Sequence, residues 1–164
     1  MLWKKETRGN RLAYELISNE KMIARIVFDT NKSYHEATCI VDGSLYKVSR
    51  SGFWKTKIHF VNEHDDLIAT IDQERMQSRK WRIQFLNKIY HIHYHNNPLF
   101  ELVIYDYKYS YLITYKLNVA DEHYSADVEI HNVAFQFSEK NLLLIIGWYL
   151  FMPIAHENTI AYSS

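Results

Sequence analysis

The chain has 164 residues, with 19 Lys and Arg, 19 Asp and Glu and nine His, so its formal charge is zero. It carries 13 Tyr, 8 Phe and 4 Trp against 4 Gly and 2 Pro, which excludes collagenous and low-complexity classes, and 48% hydrophobic content is ample for a core. One cysteine, Cys39, excludes an internal disulfide framework and a Cys-rich zinc module, and the neutral total argues against a generic nucleic-acid binder.

The length suits a single domain over residues 1–164. The opening Met1-Leu2-Trp3-Lys4-Lys5-Glu6 lacks the apolar run of a secretory signal. From residue 11 to residue 137 apolar and polar residues alternate with a period of two, the pattern of half-buried strands. Arg11–Ile17 and Met22–Phe28 flank the short turn Ser18-Asn19-Glu20, and Ala37–Val41 and Leu45–Ser49 flank Asp42-Gly43. That dipeptide suits the positive φ of a type I′ turn and is the strongest hairpin signal in the chain. Phe53–Val61 and Leu67–Asp72 flank Asn62 to Asp66, and Trp81–Leu86 and Ile89–His95 flank Asn87-Lys88. Leu99–Tyr105, Tyr109–Leu117 and Asp127–Phe137 complete the set. So many strands must close or stack to hide their edges.

The chain also resembles itself at an offset of 44 to 45 residues. Ile23-Ala24-Arg25-Ile26 returns as Ile68-Ala69-Thr70-Ile71, and Leu45-Tyr46-Lys47-Val48 as Ile89-Tyr90-His91-Ile92. Ala37, Cys39 and Val41 align with Trp81, Ile83 and Phe85. Repeated units stack to share a core.

A helix is predicted over about 139–153, with Ser138 as N-cap and Glu139 in the first turn, followed by a short tail. Pro153 is expected to end or kink it. Leu142 to Ala155 is an apolar run of fourteen residues, roughly 21 Å of helix, short of the ~30 Å hydrocarbon core. The run is therefore read as a buried core helix, the chain as having no membrane span, and its location as cytoplasmic. Apolar residues occupy every face of this helix, so it must be enclosed. The fold class expected is mainly β: a closed, mostly antiparallel barrel of about twelve strands around a buried C-terminal helix.

The paired units around Ile23-Ala24-x-Ile26 and Ile68-Ala69-x-Ile71, the segment Ser51-Gly52-Phe53-Trp54, and Phe135 to Ala155 carry a resemblance of pattern and order. In these the chain is similar to the tubby C-terminal superfamily, with its LURP-one-related, phospholipid scramblase and small bacterial members. The resemblance implies a barrel with the helix through its centre. It also implies surface Lys and Arg that bind phosphoinositide head groups, which Lys55-x-Lys57 and Lys80-x-Arg82 resemble loosely. The acidic calcium segment of scramblases is reduced here to Glu139, and no Cys-rich palmitoylation segment is present, so scramblase activity is not implied.

Three constellations carry chemistry. His91-Ile92-His93-Tyr94-His95 places three imidazoles on one face of a strand, either as a metal site for an enzyme or as an ordinary polar row. The pseudo-repeat aligns His91 and His93 with Lys47 and Ser49, which favours the polar row. Asn62 to Asp66 reads as a solvated turn, since the spacing of a calcium loop is absent. Charge order gives the third: residues 1–88 hold 16 Lys/Arg against 11 Asp/Glu, and residues 89–164 hold 3 against 8. Within the basic half, Lys47, Arg50, Lys55 and Lys57, with Arg79, Lys80 and Arg82, form the candidate anion or lipid site, on the premise that the two segments meet. The alternative is a set of solvated faces. Trp54 and Trp81, interleaved with these cations, are read as core residues, so no nucleic-acid partner is expected. Tyr105, Tyr107, Tyr109, Tyr111 and Tyr115 read as a barrel rim or as an interaction surface, including a homodimer contact.

No nucleophile elbow, phosphate-cradling loop or carboxylate pair in an apolar pocket is present. Cys39 reads as a small core residue. The reading preferred is a non-enzymatic binding or scaffold module with no cofactor, recognising an anionic ligand, a lipid head group or a protein partner. The competing readings are a metal-dependent enzyme on His91, His93 and His95, and an intracellular carrier of a small apolar ligand.

Overall fold

The computed structural model describes residues 2–6, 12–29, 35–52, 56–74, 79–85, 87–96, 100–118, 125–131, 134 and 138–162. These are mainly β: one antiparallel sheet with one C-terminal helix packed on it. The strands are β1 (Leu2–Glu6), β2 (Leu12–Ser18), β3 (Lys21–Phe28), β4 (Ala37–Val41), β5 (Ser44–Ser51) and β6 (Lys57–Asn62). They continue as β7 (Leu67–Gln73), β8 (Lys80–Phe85), β9 (Lys88–Asn96), β10 (Phe100–Tyr105), β11 (Tyr111–Asn118) and β12 (Ser125–Ile130), and the helix is α1 (Lys140–Tyr162). Each strand pairs with its neighbour in the chain. β1 pairs with β2 over five residues and also meets β12 at the single pair Leu2↔Asp127.

Asp42 and Gly43 both have positive φ, 49° and 82°, the type I′ geometry expected of that dipeptide. Strand β1 was not anticipated. The expected strand Asp127–Phe137 ends at Ile130, and residues 53–55, with Trp54 and Lys55, lie outside the described residues.

The self-similarity holds in the pairing register, and it has three copies. Leu16↔Ala24, Phe60↔Ala69 and Ile104↔Ile113 are equivalent pairs, each followed at once by a register shift. Ile26↔Cys39, Ile71↔Ile83 and Tyr115↔Val128 are equivalent across the next seam. Thr38↔Lys47, Arg82↔His91 and Leu2↔Asp127 come after them. The first unit is β2–β5 and the second β6–β9. The third is β10–β12 completed by β1 from the other end of the chain.

The inward residues of all three units meet α1. Trp148 stacks on Trp3 of β1 with centroids 5.0 Å apart and meets the ring of Tyr14 of β2 at 5.1 Å. Tyr149 stacks on Phe28 of β3 and meets Phe60 of β6 edge-on. Phe151 packs on Phe100 of β10 and Tyr115 of β11. Leu142 through Met152 are buried without exception. This is the enclosure that an apolar face on every side requires.

Two expectations about α1 are corrected. The helix does not end at Pro153 but continues to Tyr162. Proline removes one backbone donor and crowds one turn, a local penalty that the buried turns before it outweigh. Ser138 does not cap the backbone; its hydroxyl donates to the Glu139 carboxylate at 3.1 Å, and the Glu139 carbonyl accepts the first helical bond from Leu143 N–H.

Candidate functional site: the outer wall of β8 to β11

Alternation sets which side chains leave the core. In β9 Tyr90 and Ile92 are buried and face α1, so His91, His93 and His95 stand together on the outer face. In β8 Ile83 and Phe85 are buried, which turns Lys80 and Arg82 outward. Lys80 pairs with His93 and Arg82 with His91, so two sequence candidates thirteen or fewer residues apart become one surface, with Arg79 at its margin.

The rest of the expected basic patch is divided. Arg50 lies on the inward face of β5, where its Nε donates to the Tyr149 hydroxyl at 3.1 Å and its guanidinium sits 5.5 Å from that ring. That contact makes it an anchor for α1, since β5 alternates so that Val48 and Arg50 share the inward face and Lys47 points out. Lys47 pairs with Asp65 at 2.9 Å, and Lys57 is exposed on β6. Arg82 is partnered by Asp72 at 3.3 Å. Lys55 lies outside the described residues. Arg50 is thus withdrawn from the outer surface, and Lys47 and Arg82 are each paired with a carboxylate.

The histidines are joined by tyrosines. His91 Nδ1 lies 3.1 Å from Glu74 Oε1, and its ring stacks on Tyr109 at 4.7 Å. His95 Nε2 bonds the Tyr105 hydroxyl at 3.3 Å. His93 packs between them, 4.9 Å from Tyr105, 6.0 Å from Tyr109 and 6.2 Å from His95, and its Nε2 is sealed from solvent with no hydrogen-bond partner. Tyr105 packs in turn on Tyr111, and Tyr111 on His131, whose Nε2 lies 3.0 Å from Thr114 Oγ1. The tyrosine row is therefore split: Tyr115 is in the core, Tyr105 is covered, and Tyr107, Tyr109 and Tyr111 are 63%, 54% and 53% exposed.

With His91 turned to Glu74 and His95 to Tyr105, the three imidazoles do not converge. Among the described residues no three His, Cys, Asp or Glu side chains are placed to hold a metal ion. Cys39 is buried in the core, and burial pushes its thiol far up, which leaves no thiolate for chemistry.

Burial, followed by the nearby Lys80 charge, holds the His93 imidazole below the usual histidine value of 6.5; Glu74 pulls the other way, and His95 and His91 add to the depression. The sign follows from linkage. The unfolded chain binds this proton first as pH drops through about 6.5, so the unfolded state gains there and folded stability falls. Melting temperature should decrease between about pH 7 and pH 5, and His93→Asn should remove part of that slope. An unchanged slope in His93→Asn would place the proton uptake elsewhere.

At the helix start, Glu139 is held below the usual carboxylate value: burial raises it, but hydrogen bonds from Lys88, its own backbone and Ser138 outweigh that. Glu139 lines one cleft and Lys88 another. One, of about 320 Å³, lies between the Asp42-Gly43 turn, Phe85 and Leu142. The other, of about 390 Å³, lies between Ile89, Tyr90 and Tyr107.

No family model, curated protein or solved structure matches this chain.

Proposed function

We propose that the chain is a non-enzymatic binding module: a closed barrel of the tubby-like kind, filled by its own C-terminal helix, that recognises a phosphate-bearing anion or lipid head group on its outer wall. Closure is supported by β1, which pairs with β2 and also with β12. The observation that carries the site is the register of β8 against β9, which sets Lys80 beside His93 and Arg82 beside His91, with the Arg79 carbonyl bonded to Tyr94 N–H. Two carboxylates, Asp72 and Glu74, are already engaged by Arg82 and His91. Among the described residues no helix is long and apolar enough to cross a membrane, so a lipid would be met at its head group.

Each basic side chain near an anionic surface contributes about 1 kcal/mol. Flotation with phosphatidylcholine vesicles, with and without phosphatidylserine, at low and physiological salt tests the reading. Retention is expected only with phosphatidylserine, weakening with salt, and Lys80→Glu with Arg79→Glu should abolish it. Soluble glycerol phosphate as competitor separates a free phosphate from a surface. No retention at low salt, or equal retention on neutral vesicles, would contradict the lipid reading.

A further inference from the structure

The second and third units carry the same turn. In the second, Asn62 Oδ1 accepts from the backbone of His64 and Asp66, both at 2.9 Å, and Asp65 has φ of 62°. In the third, Asp106 Oδ1 accepts from the backbone of Lys108 and Ser110, both at 2.8 Å, and Tyr109 has φ of 62°. The backbone bonds between the ends of the two turns also match. Asp tolerates the left-handed region, whereas a bulky aromatic residue there is strained. The turn itself does not require tyrosine. What tyrosine adds at 109 is a ring laid over His91 and against His93.

That ring closes a compartment around His93. On β9, His91 and His95 flank it; Lys80 faces it from β8, Glu74 from the end of β7, and Tyr105 from β10. Asp106 is buried in the turn and committed to backbone donors, and Lys108 points to the ring of Tyr107. None of these groups bonds His93 Nε2. A neutral imidazole can leave that nitrogen as a sealed acceptor, but a protonated one needs an acceptor for both N–H groups. The doubly protonated ring must therefore reach water. Tyr105 is fixed within a strand, while Tyr109 is half exposed on a strained turn, so Tyr109 is the side that gives.

We infer that the Asp106–Ser110 turn is a proton-operated cover over His93, shut at neutral pH and released when His93 takes a second proton. The inference rests on the binding surface proposed above for its purpose: release adds an exposed imidazolium beside Lys80 and Arg82 and raises the positive charge of the wall. Its geometry does not depend on any ligand.

The test is amide hydrogen exchange on the full chain without ligand, at about pH 7.5 and about pH 5.5. After correction for intrinsic rates, the amides of Lys108, Tyr109 and Ser110 should lose about tenfold protection at the lower pH. Those of His64, Asp65 and Asp66, in the equivalent turn, should keep theirs. His93→Asn should abolish the loss, and Tyr109→Gly, which relieves the backbone and uncovers the ring, should let His93 titrate near 6.5 by NMR. Equal loss in both turns, no loss in either, or a His93→Asn chain that behaves as wild type would overturn the cover. Vesicle retention at the two pH values is a separate arm: its failure with the cover intact removes the anionic ligand alone.

Discussion

Trp148→Ala should destabilise the protein by about 3–5 kcal/mol in chemical denaturation, a large part of the ~5–15 kcal/mol that holds a typical domain together. Trp148 is fully buried at the middle of α1, stacked on Trp3 and edge-on to Tyr14, with Tyr115 and Phe151 also in contact. Removing the indole leaves a void lined by four rings from three strands and the helix, and strands fixed by ladder hydrogen bonds cannot collapse into it. Trp3 belongs to β1, so the same substitution weakens the tie between the first strand and the helix. A double-mutant cycle of Trp3→Ala and Trp148→Ala should return a coupling of about 0.5–1.5 kcal/mol. A loss under about 1 kcal/mol for Trp148→Ala would mean that the site is not packed as described.

Gly147→Ala is the second substitution with a large expected effect, and here the usual sign reverses. Alanine in place of glycine within a helix ordinarily gains up to about 1 kcal/mol. A Cβ at 147, however, would fall inside hard contact with the Tyr115 ring, with Cζ only 2.9 Å away. The ring cannot simply retreat, because its hydroxyl donates to the Leu144 carbonyl in the same helix and it packs on Trp148 and Phe151. Overpacking costs about 1–3 kcal/mol and loss of a buried hydrogen bond about 1–3 more, so a net destabilisation of about 2–4 kcal/mol is expected by urea titration. Tyr115→Leu should recover part of it in the double variant. A stabilised Gly147→Ala would show that helix and strand are further apart than described.

Much of the fold was legible because it depends on alternation. Eleven of the strands follow from residues such as Ile26, Cys39 and Ile83 recurring at every second position, and an apolar α1 follows from Leu142 to Met152. The third unit was hidden for a physical reason. Its inward positions tolerate any large apolar residue, so Ile58 and Phe60 reappear as Leu102 and Ile104, and its fourth strand lies at the other end of the chain. β1 was missed because Lys4, Lys5 and Glu6 conceal a short strand whose one decisive residue is Trp3. The site was half legible. The spacing of His91, His93 and His95 correctly placed them on one face, but which neighbours they meet depends on pairing between distant segments. Arg50 shows the same limit: its charge was visible, while its inward face depended on Val48 two residues before it.

From Leu142 to Met152 α1 is buried on every face against the sheet it packs on, so it should unfold only with that sheet. Native-state hydrogen exchange over a denaturant series tests this most directly. The amides of Leu143 to Met152 should exchange only through global unfolding, with the free energy and denaturant slope of the whole protein. Exchange of these amides at low denaturant with a small slope would mean that the helix leaves the sheet as a local unit, and would contradict the account.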